Sequence, residues 1–140
     1  MILIDSNVII DVVDRDPRWF NWSFENIDRA GQAASLMINA VVVGEVAPSF
    51  SGLPEFRAAM ANLLITIHDL NADAAYFAGQ AFRRHCERRD IGTGKSILAD
   101  FFIGGHAHAI GATILTRDPR FYRSYFPTVP LITPERNTND

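Results

Sequence analysis

Short apolar runs alternate with helix-like stretches along the whole chain, and few folds accept that order. Ile2 to Ile4, Leu36 to Ala40, Ile65 to His68, Ala112 to Thr116 and Val129 to Ile132 read as strands. The stretches between them carry helical signals. A helix runs from Val8 to about Val13, with Ser6 or Asn7 as its cap, and Pro17 opens a second through Trp19, Phe20, Phe24 and Ile27 that ends near Gly31. Val41 to Phe50 reads as a third, with Glu45 in its middle and Pro48 disturbing its end. Pro54 starts a helix whose expected buried stripe is Phe56, Met60, Leu63 and Leu64. Asn71 caps a long amphipathic helix in which Ala75, Gly79, Phe82 and Cys86 are expected inward and Arg83, Arg84, Glu87 and Arg88 in water. Gly92-Thr93-Gly94 reads as a loop, Ile97 to Ile110 as a helix closed by Gly111 in the left-handed capping position, and Pro119 to Phe126 as a short aromatic-basic helix. Strands joined through helices pair in parallel, so the expected fold is α/β, a three-layer α/β/α sandwich with a mostly parallel central sheet.

Size and charge narrow the class further. With 140 residues, 48% hydrophobic and 21% charged, the chain can bury one core, and it reads as one domain over 1–133 with a short tail over 134–140. A single cysteine, Cys86, excludes an internal disulfide framework and any multi-cysteine zinc site. Its place on the expected inner face of its helix suggests a structural thiol. The first residues carry a carboxylate where a signal peptide needs basic residues, and no 18-residue apolar span follows, so neither secretion nor membrane insertion is expected and the cytoplasm is the expected compartment. The net charge is −3, unevenly spread. Residues 83 to 123 hold eight of the thirteen basic side chains against four acids, a local balance of +4 that leaves −7 for the remainder. Such a basic third suits a phosphate-binding footprint as well as a solvated helix face.

Four acids stand where a solvated surface carboxylate is least expected: Asp5 after Ile2-Leu3-Ile4, Glu45 after Val41-Val42-Val43-Gly44, Asp100 between Leu98-Ala99 and Phe101-Phe102, and Asp118 just after Ala112 to Leu115. Each alone has an ordinary explanation. Asp5 and Asp118 could cap the helices that follow them, Glu45 could be an exposed helix position, and Asp100 could pair with Arg117 or Lys95. Together they suggest a site, because two such charges about 4 Å apart repel by roughly 4 kcal/mol at an effective dielectric near 20 and require a compensating cation. Oxygen-only ligands favour a hard ion, Mg²⁺ or Mn²⁺.

These residues resemble a known family. Met1 to Asp11, Asn39 to Glu45, Leu98 to Ala107 and Gly111 to Asp118 continuing to Pro127 are similar, in that order, to the motifs of the PIN-domain nucleases, most closely the VapC-type toxins of toxin–antitoxin pairs. The resemblance implies a Mg²⁺- or Mn²⁺-dependent endoribonuclease acting on structured RNA, transfer or ribosomal, whose catalytic quartet is Asp5, Glu45, Asp100 and Asp118. Asp5, Asp100 and Asp118 would form the metal shell, with Asn7 and Thr116 in support and Glu45 either ligating or positioning the attacking water. It further implies a homodimer and a cognate antitoxin, VapB-like, lying across the acidic groove. Trp19 to Phe24 and the Leu53 to Leu64 helix could serve partners or simply pack. Arg117, Arg120 and Arg123 could touch RNA phosphates.

Other readings compete. A housekeeping RNA-processing PIN nuclease and a non-catalytic RNA-binding or interaction module keep the fold. A haloacid dehalogenase-like phosphatase would need an acid two residues after Asp5, where Asn7 stands, and a receiver domain would need a lysine after a later strand. Gly94-Lys95-Ser96 lacks the earlier glycine of a phosphate loop, because Arg89 occupies that position. His106 and His108, two apart, point to different sides of their helix and read as packed or solvent-linked histidines.

Overall fold

A computed structural model describes residues 1–88 and 97–134 of the chain, the side chain of Ile97 excepted. The elements follow in the order β1 (Ile2–Ile4), α1 (Ser6–Val13), α2 (Phe20–Ala33), β2 (Leu36–Asn39), α3 (Ala40–Val46), a 3₁₀ turn (Ala47–Ser49), α4 (Leu53–Asn62), β3 (Ile65–His68), α5 (Ala72–Glu87), α6 (Ile97–Ile110), β4 (Thr113–Leu115), α7 (Arg120–Tyr125) and β5 (Leu131–Ile132). The strands form one parallel sheet in the order β3-β2-β1-β4-β5. β1 and β2 are buried along their whole length, as strands covered on both faces must be. The fold is the expected three-layer α/β/α sandwich.

The chain order places a switch point at the centre of the sheet. From β1 the chain builds outward through β2 and β3, then returns to add β4 and β5 on the other side. Helices therefore leave β1 and β4 in opposite directions, which opens a crevice beyond their carboxyl ends. The register pairs Ile4 with Leu115, and Asp5 N–H donates to Leu115 O at 2.9 Å. Whatever follows Ile4 must meet whatever follows Leu115.

Several local expectations change in three dimensions. The cap of α1 is Asp5, neither Ser6 nor Asn7, with its carboxylate accepting from Ser6 N–H. Pro48 ends α3 in a 3₁₀ turn. Leu64 does not join the α4 stripe: it is 76% exposed at φ 58°, while Phe56 and Met60 are buried. On α5 the inner face is Ala74, Ala78 and Ala81, whereas Phe82 and Cys86 are exposed, so Cys86 is not a core thiol. The physical reason is close approach. A Cβ at Gly105 of α6 would stand 2.6 Å from Ala74 O and 2.7 Å from Ala78 N, so the two helices touch through small residues and nothing larger fits between them. Gly111 takes φ +68° at the end of α6, as expected of its capping position. The Gly92-Thr93-Gly94 stretch, Lys95 and the tail beyond Pro134 lie outside the described residues.

Candidate metal centre

Asp5 sits at the end of β1, 4% exposed, with both carboxylate oxygens engaged. Oδ1 accepts from Ser6 N–H at 2.8 Å; Oδ2 accepts from the Thr116 hydroxyl at 2.9 Å and from the Tyr122 hydroxyl at 2.9 Å. Three donors fix the carboxylate in one orientation. Burial nevertheless holds its pKa above the usual carboxylate range, and the hydrogen bonds oppose that rise. Tyr122 is buried beneath the site, and its own pKa lies well above the ordinary tyrosine value through burial and the nearby Asp5 and Asp100 charges, so its hydroxyl stays a donor.

Thr116, the first residue after β4, ties two of the acids together. Its hydroxyl donates to Asp5 and accepts from Asp118 N–H at 3.1 Å and from Asn7 Nδ2 at 3.4 Å. Asn7 Oδ1 in turn accepts from Arg117 N–H at 3.4 Å, so its amide braces the 116–118 turn from α1. Asp118 is exposed at the rim, and α7 has no side-chain cap, so its carboxylate is not spent on that helix.

The remaining two acids arrive from the helix layers. Glu45 comes near the end of α3, which packs against both α1 and α6. Asn39 fixes the start of α3 by accepting from Val42 N–H at 3.1 Å, which leaves its Nδ2 to donate to His106 Nδ1 at 3.1 Å. His106 is therefore a neutral, buried histidine with its proton on Nε2, and burial lowers its pKa. Glu45 is half-buried, and its Oε1 is fully buried with no hydrogen-bond partner. Its pKa is raised by burial first, with the Asp5 charge adding to the rise and the Ser6 hydroxyl opposing it. Asp100 occupies the first turn of α6, where the helix dipole favours a negative charge. Even so its pKa is pushed up to about 7, by burial and then by the charges of Asp5, Glu45 and Asp118.

All four predicted acids thus share one electrostatic neighbourhood at the switch point. Asp100 does not pair with Arg117. That guanidinium is held by Asp11, with Nε 2.8 Å from Oδ2 and Nη2 3.1 Å from Oδ1, and the Ser23 hydroxyl completes the Asp11 shell at 2.8 Å. Arg120 and Arg123 are exposed on α7. Ser6 and Tyr122 are the site residues that sequence reading missed, because nothing in their spacing separates a hydroxyl at a helix start, or a tyrosine in an aromatic helix, from ordinary packing.

The cluster suits a hard divalent cation. Its donors are all oxygens, one of them orphaned, and among the described residues no basic side chain forms an ion pair with any of the four. As the side chains stand, no three acidic, histidine or cysteine groups among the described residues close around a bare ion. The all-oxygen donor set is of the kind that Mg²⁺ takes, an ion that keeps several of its waters when bound. Among the described residues no helix is long and apolar enough to cross a membrane.

Comparison with known proteins agrees with this architecture. Among curated proteins no sequence matches the chain. Similar solved structures include VapBC2 from Rickettsia felis bound to a DNA fragment from their promoter, with TM-score 0.70 and 18% identity over 96% of this chain and 100% of that one. A toxin–antitoxin complex from Klebsiella pneumoniae gives TM-score 0.64 and 21% identity over 96% and 98% of the two chains. VapC20 of Mycobacterium tuberculosis, a sarcin-ricin loop cleaving toxin, gives 0.58 and 15% over 89% and 95%. At these identities the likeness is one of fold. The PIN domain family model matches residues 2–127, nearly the whole chain, and with a parallel sheet whose switch point gathers four carboxylates, the protein belongs to the PIN-domain family.

Proposed function

We propose that the protein is a Mg²⁺- or Mn²⁺-dependent endoribonuclease, the toxin of a toxin–antitoxin pair, acting on structured RNA of the transfer or ribosomal class. The observation that carries this reading is the mutual electrostatic influence of Asp5, Glu45, Asp100 and Asp118, brought from four separate elements into one place without a basic partner among the described residues. The toxin–antitoxin complexes among the similar folds, and the ribosomal-RNA-loop cleavage named for one of them, support the choice of partner and substrate.

Asp5, Asp100 and Asp118 would hold the ion, directly or through water. When bound, it acidifies a water ligand and neutralises charge on the phosphoryl oxygens. Asp5 is the rigid anchor, because Ser6, Thr116 and Tyr122 leave its carboxylate no freedom to turn. Asn7 and Thr116 fix the turn that presents Asp118. Glu45, whose Oε1 has no hydrogen-bond partner and whose pKa burial raises, would either ligate the ion or position the attacking water as base. Attack on phosphorus then releases a 3′-hydroxyl and leaves a 5′-phosphate. Arg120 and Arg123 supply phosphate contacts beside the cluster, whereas Arg117 is committed to Asp11. An antitoxin segment would lie across the same acidic groove, and the toxin would act as a homodimer.

The test is cleavage of transfer and ribosomal RNA by the purified protein with Mg²⁺ or Mn²⁺, with and without chelator. Cleavage that needs the ion and is lost in Asp5→Asn supports the reading. Undiminished cleavage in excess chelator sinks the metal step, and RNA binding without cleavage under any divalent ion points to the non-catalytic module.

A further inference from the structure

Beside Asp118 lies a hollow of about 320 Å³ lined by Trp19, Arg117, Asp118, Arg120, Arg123 and Thr133 among others. Its walls differ in chemistry. Trp19 gives an aromatic surface at the start of α2, held in place by Arg117, whose guanidinium carbon lies 5.6 Å from the ring centre while Asp11 grips its nitrogens. The rest of the lining is cationic: the side chains of Arg120 and Arg123, one turn apart on α7, make no hydrogen bond or ion pair within the described structure. Arg18 lies 5.2 Å from the Trp19 ring centre, but it is exposed and its side chain makes no hydrogen bond, so a flat ligand can take its place.

One residue that lines the hollow carries a polar atom without a partner. Thr133 Oγ1 is buried and has no hydrogen-bond partner, one of only two such side-chain atoms among the described residues; the other is Glu45 Oε1, in the metal centre. A buried hydroxyl without a partner is a rare and unfavourable arrangement, and a turn of the Thr133 side chain toward the hollow would let a ligand's polar edge relieve it. Aromatic wall, unpaired arginines and orphaned hydroxyl together match the parts of one nucleotide: a base to stack, a phosphate to neutralise, and a base edge or ribose hydroxyl to bond.

We propose that this hollow is a nucleotide subsite, taking the residue of a single-stranded or looped RNA next to the phosphate held at the carboxylate cluster. Asp118 lies in both sites, so a nucleotide here is one backbone step from the metal centre. Arg120 and Arg123 hold the flanking phosphate, Trp19 takes the base, and Thr133 selects among bases. Arg117 positions Trp19 and does not itself bind RNA. This inference rests on the ribonuclease reading, and its test is arranged so that the two can fail separately.

The experiment uses the full chain carrying Asp5→Asn, so that binding is read without cleavage, and a short single-stranded RNA of randomised sequence as the ligand. Adding Arg120→Ala and Arg123→Ala together should weaken binding about tenfold and make its salt dependence shallower, by about 0.7 in log–log slope for each phosphate that is no longer neutralised. In the otherwise wild-type enzyme, Thr133→Val, which keeps the shape and removes the hydroxyl, should leave the salt slope unchanged and alter which base flanks the cut ends when RNA products are sequenced. The indole N–H signal of Trp19 should shift on adding the RNA, and that of Trp22 much less. Unchanged affinity and salt slope in the double arginine variant, unchanged flanking-base preference in Thr133→Val, or displacement of the RNA by polyglutamate at equal charge would each overturn the subsite. A wild-type protein that binds the RNA at this hollow and never cuts it would overturn the nuclease reading and leave the nucleotide pocket standing.

Discussion

Two regions only a few residues apart treat buried carboxylates in opposite ways. Asp11, 1% exposed on its side chain, lies on α1 with a partly exposed Arg117 clamped against it by two hydrogen bonds and Ser23 supplying a third. Asp5, at the start of the same helix, is one of three acids whose charges act on Asp100, and among the described residues no basic side chain forms an ion pair with any of the four. Burying an ion costs several kcal/mol unless a partner offsets it. The Asp11 pocket carries its own cation and is complete as structure. Among the described residues no cation balances the cluster, which is why it reads as a functional centre and Asp11 does not.

The largest expected effect lies in the cluster: Asp100→Asn should lower RNA cleavage by at least about a thousandfold, equivalent to roughly 4 kcal/mol in the barrier, with the folded state retained on thermal melting. Wild-type rates in that variant would break the contrast at its centre. Next comes the clamp. Arg117→Ala strands Asp11 in the interior and should cost about 3 kcal/mol in denaturant unfolding, the lower end for a broken buried pair because the arginine is partly exposed. If Arg117→Ala proves as stable as the parent, the two regions are not opposites after all.

The third expectation concerns pH in protein freed of divalent ions. The Asp100 pKa is raised from 3.8 to about 7 in the folded chain, so the fold disfavours its charged form. Its contribution therefore destabilises progressively as pH rises from about 4 to about 7 and stays unfavourable above that. Melting temperature attributable to this group should fall between pH 5 and pH 8, and Mn²⁺ should raise it more at pH 8, with a gain of about 2.7 kcal/mol at a hundred times the dissociation constant. Equal Mn²⁺ stabilisation at both pH values would contradict the electrostatic account. The smallest effect sharpens the role of the Asp5 shell. Tyr122→Phe removes one of three donors to that carboxylate, and calorimetry should show Mn²⁺ binding weakened by about tenfold while Thr116 and Ser6 keep the site assembled.

How far the sequence reaches is visible element by element. Ile2-Leu3-Ile4-Asp5 could be read directly as a strand ending on an acid, because three apolar residues in a short run have no other stable place than a covered sheet, and a carboxylate there must stand at the strand's end. The same holds for β4 and Asp118. The inner face of α5 could not be read. Hydropathy favours Phe82 and Cys86 as the buried side, but close contact with Gly105 selects Ala74 and Ala78, and the distance between two helices is not written in either one. Tyr122 escaped notice for a related reason: its hydroxyl reaches a residue 117 positions away in the chain.

Sequence alone determined the periodicities, and hence the alternation of strands and helices, the parallel sheet and the anomalous placement of four acids in apolar surroundings, because each of these depends on neighbours in the chain. The tertiary structure decided the partners: that Arg117 belongs to Asp11, that Tyr122 and Ser6 hold Asp5, and that Glu45 and Thr133 keep one oxygen each without a bond. Pairing and desolvation are set by distances through space, and for a charge in the interior those distances separate a structural support from a reactive group.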